Sequence, residues 1–417
     1  MPHSQSREQI ERFTSIPRIA RWIAYMSFVL ALLLSLVMTS LFVYTRLYHY
    51  VGTIAWSPPG LISVATHALI SPTAAAGQDH QTVSPPGSWK VLPSLPSPQA
   101  DNATVYVQAQ GRGYVYMSGG YHGHKYSPHY DHNLYRYDVA AARWQIVASE
   151  NFPGMVNNAI ALDEQNRLFF IAGYSSDVYA ITSLLYLYRP SDGVIQKIIS
   201  PAQVSIGFGA AMLADRQGHL YITQGFVRPG DPQAHAGTGW YQYDIASGRW
   251  RILAPLPVGL GYIALASDDA GGIVLLGGAM DAGQRLPSMH IYRYDIMNNT
   301  WTQAQALSPL AFSGAASCVD GHGHIVIVGG SAGYHTVGTR FIASAGDPVW
   351  GTGNAPALLR QSWLVDLHTL HWQALAPLPS GGSLLGTAAC DGQGHVFLVR
   401  GADDSGAPTT DFLLLTL

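Results

Sequence analysis

Short apolar runs recur along the chain, and each ends in a glycine that follows a small or polar residue. The six glycines are Gly120, Gly173, Gly225, Gly278, Gly330 and Gly401. Successive glycines are 53, 52, 53, 52 and 71 residues apart. A period of this length is typical of an array of equivalent units, none of which can bury its own apolar face alone. The pattern therefore predicts a repeat architecture.

Each unit can be divided into four short strands. In the fourth unit these are YIALAS, IVLLGG, HIYRYD and TWTQA. In five units an aspartate lies ten residues before the glycine, in the turn between the first two strands: Asp163, Asp215, Asp268, Asp320 and Asp391. An aspartate that opens such a turn and a glycine or asparagine that closes it are typical of a tight hairpin. The units are therefore predicted to be four-stranded antiparallel sheets.

The third and fourth strands carry a further pair of markers. The third strand ends in a Tyr-Asp or related pair at Asp138, Asp244, Asp295 and Asp366, and the fourth strand opens with Trp144, Trp250, Trp301 and Trp372. The second unit departs from this pattern, with Tyr188-Arg189-Pro190 and Ile195 in the corresponding places. The order GG, YD, W resembles the kelch repeat over residues 89–417. This resemblance implies an all-β propeller of four-stranded blades around a central channel.

The two ends of the array predict how the ring closes. After Gly401 only one strand, DFLLLTL, remains, whereas a spare strand, SWKVLP, surrounds Trp89 before the first unit. Pairing these strands would remove the open sheet edges of a linear array. We therefore expect a six-bladed kelch-type propeller closed by its N-terminal strand.

The chain before the repeats predicts a membrane anchor. No residue of Trp22–Thr45 is charged, and 24 residues of helix span about 36 Å, enough to cross a hydrocarbon core. Four arginines precede this run (Arg7, Arg12, Arg18 and Arg21) and only Arg46 closely follows it, so the positive-inside rule places the N-terminus in the cytoplasm. We expect a cytoplasmic tail (1–21), a single transmembrane helix (22–45), a Pro/Ser/Ala-rich linker (46–88) and a propeller (89–417) outside the cell membrane.

The charge composition of the chain excludes one class of partner, nucleic acids. The net charge is −3 and 11% of residues are charged. Because no basic block follows the first 50 residues, nucleic-acid binding is excluded. Cys318 and Cys390 are the only cysteines; two are too few for a disulfide framework, and we expect them to be small buried residues.

Two faces of the predicted ring differ in their loops. The loops between second and third strands and between blades emerge on one side, the loop face, and the other turns emerge on the opposite side, the tight-turn face. The longest second-to-third loop, in blade five, runs from Ser331 to Ser362. Because ligands are usually bound by loops on a rigid scaffold, we expect the loop face to bind the partner.

Aromatic and basic residues on these loops are the candidate ligand-binding set. Its members are Tyr121, His122, His124, Tyr174, Phe226, Arg228, Arg285, Arg340, Arg360 and Arg400. Aromatic rings can stack on a sugar and arginines can clamp a carboxylate. The alternatives are that the rings pack against the rim and that the charges are solvated.

Histidines suggest metal chemistry only weakly. The blade-one loop carries His122, His124, His129, Asp131 and His132, but it lacks the helical spacing that would fix two ligands on one face. We expect a polar loop without metal or cofactor. His219, His324 and His395 share one register on the tight-turn face, which indicates a structural role, and Ala159, Ala211, Ala264 and Ala316, with Thr387 in blade six, suit strands that converge on the axis.

Fold alone does not determine function. The leading hypothesis is a non-catalytic, membrane-anchored module that binds a protein or a glycan through the loop face. The resemblance also implies an enzymatic alternative, because kelch-like propellers include galactose-oxidase-like copper enzymes and sialic-acid mutarotases. The oxidase requires a cysteine cross-linked to tyrosine, which the cysteine positions here do not offer. A mutarotase-like enzyme for an acidic sugar and a structural piece of an envelope assembly remain as alternatives.

Overall fold

The computed structural model describes most of the repeat region. It covers residues 84–417 except 125–126, 150–151, 153, 157–158, 176–179, 216, 228–233, 269, 285, 334–341, 345–346 and 350–357. The predicted tail, anchor and almost all of the predicted linker lie outside these residues. Within the described part no helix is long and apolar enough to span a membrane.

Six antiparallel sheets of four main strands form the blades of a propeller. From the axis outward, blade 1 contains β2 (Ala100–Ala109), β3 (Arg112–His124), β5 (Leu134–Asp138) and β6 (Arg143–Ala148), and blade 2 contains β8 (Ala159–Leu162), β9 (Leu168–Ser175), β10 (Ala180–Arg189) and β11 (Val194–Ile199). Blade 3 contains β12 (Met212–Ala214), β13 (His219–Thr223), β14 (Trp240–Asp244) and β15 (Arg249–Ile252), and blade 4 contains β16 (Ala264–Ser267), β17 (Gly272–Leu276), β18 (Ser288–Asp295) and β19 (Thr300–Phe312). Blade 5 contains β20 (Ala316–Val319), β21 (His324–Val328), β24 (Ser362–Asp366) and β25 (Trp372–Leu375), and blade 6 contains β26 (Thr387–Cys390), β27 (His395–Val399), β28 (Phe412–Thr416) and β1 (Ser88–Val91).

Short additional strands decorate three blades. β4 (Ser127–Tyr130) extends β3 as a hairpin, and β7 (Met155–Val156) adds to the end of β9. β22 (Ile342–Ser344) pairs with β23 (Asp347–Val349) inside the blade-five loop. The six-bladed fold expected from the repeat is confirmed.

The hydrophobic core lies between blades rather than within them. One cluster, for example, packs Val326 and Val328 of blade 5 against Leu398, Leu413 and Leu415 of blade 6. Each sheet has two apolar faces, and each face is covered by the next blade. The repeat therefore becomes stable only as a ring.

Blade 6 closes the ring with strands from both ends of the described chain. β1 pairs with β28 in antiparallel register, with Trp89 opposite Leu415 and Val91 opposite Leu413. Trp89 thereby occupies the position that the motif tryptophan holds in the other blades. The predicted closure is confirmed.

The motif tryptophans join neighbouring blades through their indole nitrogens. Nε1 of Trp89, Trp144 and Trp301 donates to a backbone oxygen of the preceding blade's exit segment: Ala376 at 2.9 Å, Pro93 at 3.3 Å and Ala254 at 3.1 Å, respectively. These exits share the pattern Leu-x-Pro-Leu or Leu-Pro-x-Leu, at residues 375–378, 92–95 and 253–256.

The same hydrogen bond is missing where the preceding exit differs. Trp250 follows blade 2, whose exit reads SPAQVS, and Trp372 follows blade 4, whose last strand continues to Phe312. Within the described residues, both buried indole nitrogens lack a hydrogen-bond partner. The exit sequence therefore determines whether this interblade hydrogen bond forms.

A disulfide between Cys318 and Cys390 corrects the sequence-based view of the cysteines. Their Cα atoms lie 5.6 Å apart, and the bond joins β20 of blade 5 to β26 of blade 6. The prediction that they are merely small buried residues was wrong because innermost strands of neighbouring blades converge near the axis. That proximity cannot be derived from a separation of 72 residues.

Replacing Trp89 should test the closure. Trp89→Ala removes the indole hydrogen bond and much of the β1 contact with the core, so we expect a loss of about 3 kcal/mol in the free energy of unfolding. Lys90→Ala, at the next and exposed position of β1, is the control and should change it by less than about 0.5 kcal/mol. Denaturant titration of both variants measures the difference; equal stabilities would contradict the closure.

Removing the disulfide should destabilise the ring. Because a cross-link limits the unfolded chain, the double variant Cys318→Ala/Cys390→Ala should lose about 2–4 kcal/mol relative to the oxidised protein. Reduced wild-type protein serves as the comparison and should lose a similar amount. A melting temperature that is the same in all three samples would argue against the cross-link.

Candidate functional site

The innermost strands surround an axial cavity of about 380 Å³. Consecutive residues of these strands line it, for example 101–106 in blade 1, 209–214 in blade 3 and 385–390 in blade 6. Because odd and even positions both contribute, the strands turn an edge rather than a face towards the axis. Such edges present backbone N–H and C=O groups.

Small side chains keep this cavity open. Of the positions that the sequence singled out, Ala159, Ala211 and Thr387 line it, whereas Ala264 and Ala316 are buried. Thr387 stands in blade 6 where four other blades have alanine, and its hydroxyl makes an interblade contact that alanine could not make. Its hydroxyl lies 2.9 Å from the hydroxyl of Thr104 and accepts the Thr104 N–H at 3.0 Å, which joins blades 6 and 1.

Backbone hydrogen bonds between blades cross the loop-face end of the cavity. In each link a residue at the entry of one innermost strand donates its N–H to the equivalent carbonyl of the preceding blade. The links are Tyr262 to Gly209 (2.8 Å), Gly314 to Tyr262 (3.0 Å), Leu385 to Gly314 (2.9 Å) and Asp101 to Leu385 (2.9 Å). They run continuously through blades 3, 4, 5, 6 and 1.

All five residues of this hydrogen-bonded arc have left-handed backbones. Their φ angles are 63° at Asp101, 64° at Gly209, 55° at Tyr262, 60° at Gly314 and 51° at Leu385. Glycine adopts this region freely and aspartate tolerates it, but for tyrosine and leucine it costs about 1–3 kcal/mol each. Backbone strain of this kind clusters at binding sites, which directs attention to this end of the cavity.

Above the hydrogen-bonded arc, apolar side chains from several blades pack together on the loop-face side of the axis. This axial plug contains Ala100, Tyr121, Val156, Phe208, Phe226 and Ala402, with Tyr262 packed against it. Phe226 is 0% exposed, and its ring centroid lies 5.2 Å from that of Phe208 and 5.5 Å from that of Tyr262. Leu384 and Leu385 continue the apolar contact on the blade-six side.

One ionisable acid lies at the plugged end of the cavity. Asp101 lines the cavity and is 5% exposed. Its neighbour Asn102 also lines it, and Asn102 Oδ1 is buried without a hydrogen-bond partner in the described residues. Asp101, Asn102 and the hydrogen-bonded pair Thr104–Thr387 are thus the candidate polar residues of a cavity that is otherwise lined mainly by apolar residues.

Comparison with known proteins agrees with this architecture. No protein-family model matches the chain. N-acetylneuraminate epimerase of Haemophilus influenzae (strain PittEE) is 31% identical over 101 residues, which are 21% of this chain and 27% of that protein. The match therefore spans about a quarter of that relative's length.

A solved structure, that of YjhT, has a similar fold. It superposes with a TM-score of 0.57 at 16% identity, covering 79% of this chain and 97% of that one. At this identity the match shows a shared propeller fold, which agrees with the resemblance of the repeat motifs to the kelch repeat.

These comparisons correct one expectation. The sequence analysis favoured a kelch-type propeller that is not an enzyme, but a relative that matches part of the chain carries an enzyme's name. That prediction was wrong because the repeat motif describes the scaffold, which binding proteins and enzymes share.

The propeller places two of the predicted aromatic site residues in its interior. Tyr121 and Phe226 are buried in the axial plug, where they pack against neighbouring side chains. Tyr174 lies on β9, opposite Val156 of β7 and Ile181 of β10. The rings of Tyr121 and Phe226 are therefore part of the hydrophobic core in this conformation.

Two of the predicted arginines bind backbone carbonyls. Arg400 is buried, with Nε donating to the Gly382 carbonyl at 3.0 Å and Nη1 pairing with Asp411 at 2.7 Å. Arg360 is exposed and donates to the Leu378 carbonyl at 2.7 Å. Arg228, Arg285 and Arg340 lie outside the described residues.

The blade-one histidine loop is organised around a buried carboxylate. Asp131 accepts hydrogen bonds from the Tyr135 hydroxyl (2.8 Å), from the Asn133 backbone (2.7 Å) and from the Gln99 amide. Burial, reinforced by the Asp131 carboxylate, raises the pKa of Tyr135 to about 12, so the phenol remains a donor. This network fixes the loop.

The histidines of this loop do not gather into a described metal site. His122 and His124 lie on β3, opposite His129 and Ser127 of β4. His132 Nδ1 lies 3.3 Å from the Phe152 carbonyl. Among the described residues no group of three metal-ligating side chains occurs.

The turn aspartates and their histidines form a repeated structural unit. Asp215, for example, accepts the backbone N–H groups of Gln217 and His219 through Oδ1, while Oδ2 lies 2.9 Å from His219 Nδ1. His324 and His395 make the same contact with Asp320 and Asp391, at 2.9 and 2.7 Å. Their geometry fits the predicted structural role.

The cavity residues gave little signal in the sequence. Asp101 and Tyr262 share a register with Gly209 and Gly314, and only the glycines hint at a left-handed backbone there. Aligning the units on their turn aspartates could have exposed this register. The sequence singled out two residues of the plug, Tyr121 and Phe226, but not their packing, because the plug is assembled from residues of several blades.

Truncating a plug residue should destabilise the ring. Phe226→Ala leaves a void among buried side chains, so we expect a loss of about 3–5 kcal/mol in the free energy of unfolding. Val227→Ala, at the next position, where the side chain is 37% exposed, should cost less than about 1 kcal/mol. Thermal and denaturant unfolding measure both; a tolerated Phe226→Ala would contradict the plug.

Proposed function

We propose that this kelch-type propeller binds a sugar in its axial cavity and inverts the anomeric centre of that sugar. The observation that carries the proposal is an acidic residue, Asp101, among the residues that line a cavity of about 380 Å³. Pockets for small molecules have volumes of about 300–1,000 Å³, so this one suits a single small ligand. The partial match to N-acetylneuraminate epimerase supports the choice of reaction class.

The reaction requires only proton transfers. A carboxylate beside the anomeric hydroxyl takes its proton while the ring C–O bond breaks, and the electron pair of that O–H bond becomes the new carbonyl bond. The ring oxygen leaves with the electron pair of the broken bond and takes a proton from the same carboxyl group. Rotation of the carbonyl and the reverse steps close the ring with the opposite configuration.

Asp101 has the features that this role requires. Its carboxyl group can act as base and then as acid, and a positioned general acid–base contributes about 10²–10⁴-fold to a rate. Hydroxyls of Thr104 and Thr387 on the cavity wall can hold other sugar hydroxyls.

We also propose that the propeller works in an oxidising compartment outside the membrane. Disulfides persist mainly in such compartments, and Cys318–Cys390 lies in the wall of the cavity. The uncharged run Trp22–Thr45 supports the same location as an anchor.

Asp101→Asn tests the reaction, because asparagine keeps the size and tolerates the left-handed backbone. We expect exchange between anomers, followed by NMR on N-acetylneuraminate and on neutral monosaccharides, to slow by about 10²–10⁴-fold. Asp192→Asn, the same substitution at an exposed carboxylate on an outer turn, should leave the rate unchanged. Exchange that is equally fast in Asp101→Asn would overturn the assignment, and sugar binding without exchange would indicate a glycan-binding module.

A further inference from the structure

Two large side chains cover glycines of a neighbouring blade at the loop-face end of the axial cavity. A Cβ atom added to Gly209 of blade 3 would lie 3.1 to 3.2 Å from three ring atoms of Tyr262, and one added to Gly314 of blade 5 would lie 3.2 Å from Cδ2 of Leu385. Contacts this short leave little room for a side chain at either glycine. At this register, blades 3 to 6 therefore alternate a glycine with a large residue.

Tyr262 reaches from blade 4 to both sides of the axis. Its ring centroid lies 5.5 Å from that of Phe226 in blade 3, and the residue also packs against the pair Leu384–Leu385 at the entry of blade 6. Blades 3 and 6 stand opposite each other among six, so a side chain that contacts both lies close to the axis. Tyr262 also lines the cavity and is partly exposed. It therefore lies at the boundary between the axial plug and the cavity.

Filling the axis does not by itself explain the strained backbone of Tyr262. Phe208 and Phe226 fill the plug, and neither is among the residues of the described chain that have left-handed backbones. Glycine would adopt the φ of 55° at Tyr262 without strain, as it adopts similar angles in blades 3 and 5. Strain that persists where glycine would relieve it is typical of residues that bind or position a ligand.

An aromatic ring at the wall of a cavity suits a ligand that has an apolar face. The C–H face of a pyranose can pack on such a ring, while the sugar hydroxyls bond to polar groups elsewhere in the cavity. The edges of the innermost strands offer backbone N–H and C=O groups for those hydroxyls.

We infer that the ring of Tyr262 is the apolar contact surface for a sugar in the axial cavity, and that the strained backbone is retained for this contact. The inference rests on the proposed function for the location of the site. It assigns a binding role to a residue that takes no part in the proposed proton transfers, so Tyr262 determines sugar affinity rather than the rate of exchange.

Sugar binding by the full chain tests the contact. Titrations with N-acetylneuraminate and with neutral monosaccharides compare wild type with Tyr262→Leu, which removes the ring but keeps an apolar side chain, and with Tyr262→Phe, which keeps the ring. We expect Tyr262→Leu to weaken binding about tenfold or more and Tyr262→Phe to change the Kd by less than about threefold. Unchanged binding in Tyr262→Leu, equal losses in both variants, or no sugar bound by wild type would overturn the inference.

Phe208→Leu is the matched control. It removes an aromatic ring beside the same Phe226, with centroids 5.2 Å apart, at a residue that is 5% exposed and is not among the described residues that line the cavity. The change should lower the melting temperature but leave the Kd within about twofold. A loss of binding as large as that in Tyr262→Leu would mean that any change in the plug disturbs the site, and would contradict a specific contact.

Kinetics separate this inference from the proposed reaction. Tyr262→Leu should raise the KM for anomer exchange and leave kcat within about threefold, whereas Asp101→Asn should lower kcat. Sugars that bind through Tyr262 without any exchange would contradict the reaction and leave the inference standing. Exchange with an unchanged KM in Tyr262→Leu would do the opposite.

Discussion

Every blade of this protein has two apolar faces, and a sheet covered on one face only would expose the other to water. A ring of blades covers both faces of every sheet only if the last blade has all four strands. The four residues of β1 supply the missing strand of blade 6 by pairing with β28. Trp89 adds a hydrogen bond to the backbone of blade 5, so the closing strand is held by a neighbour as well as by its own sheet. The interblade cores, the cavity and the strained backbone arc at its end all require this closure.

Closure also determines what kind of site the axis can offer. Since each innermost strand turns its edge inwards, the cavity is lined by backbone groups and by many small side chains. Side chains that can bind or react with a ligand are therefore expected only at the few positions where a polar residue replaces a small one. Asp101 and Thr387 are such exceptions: one stands at a position held by glycine in blades 3 and 5, and the other in a register of alanines. A scaffold of equivalent units thus acquires a specific site by local departures from equivalence.

A feature of this structure could be predicted from the sequence when it depends on residues that are close together along the chain or on a recognisable repeat. The turns were accessible because Asp215 and its equivalents bond to backbone groups within four residues. Ring closure was accessible because the truncated last unit and the spare strand at Trp89 are complementary. The disulfide, the Thr104–Thr387 contact and the plug were not accessible, because they join residues of different blades whose proximity depends on how strands converge on the axis. The sequence singled out Tyr121 and Phe226 but could not show that they pack together in the axial plug.

The disulfide has a topological consequence for the blade that carries the longest loop. Cys318 and Cys390 enclose the whole of that loop in a covalent circle formed by the chain between the two innermost strands. A break of the chain anywhere inside the circle leaves the two pieces joined through sulfur and each still anchored in its own blade. Blade 5 is therefore the place where this protein can lengthen, exchange or even lose the continuity of a surface loop while its ring stays covalently intact.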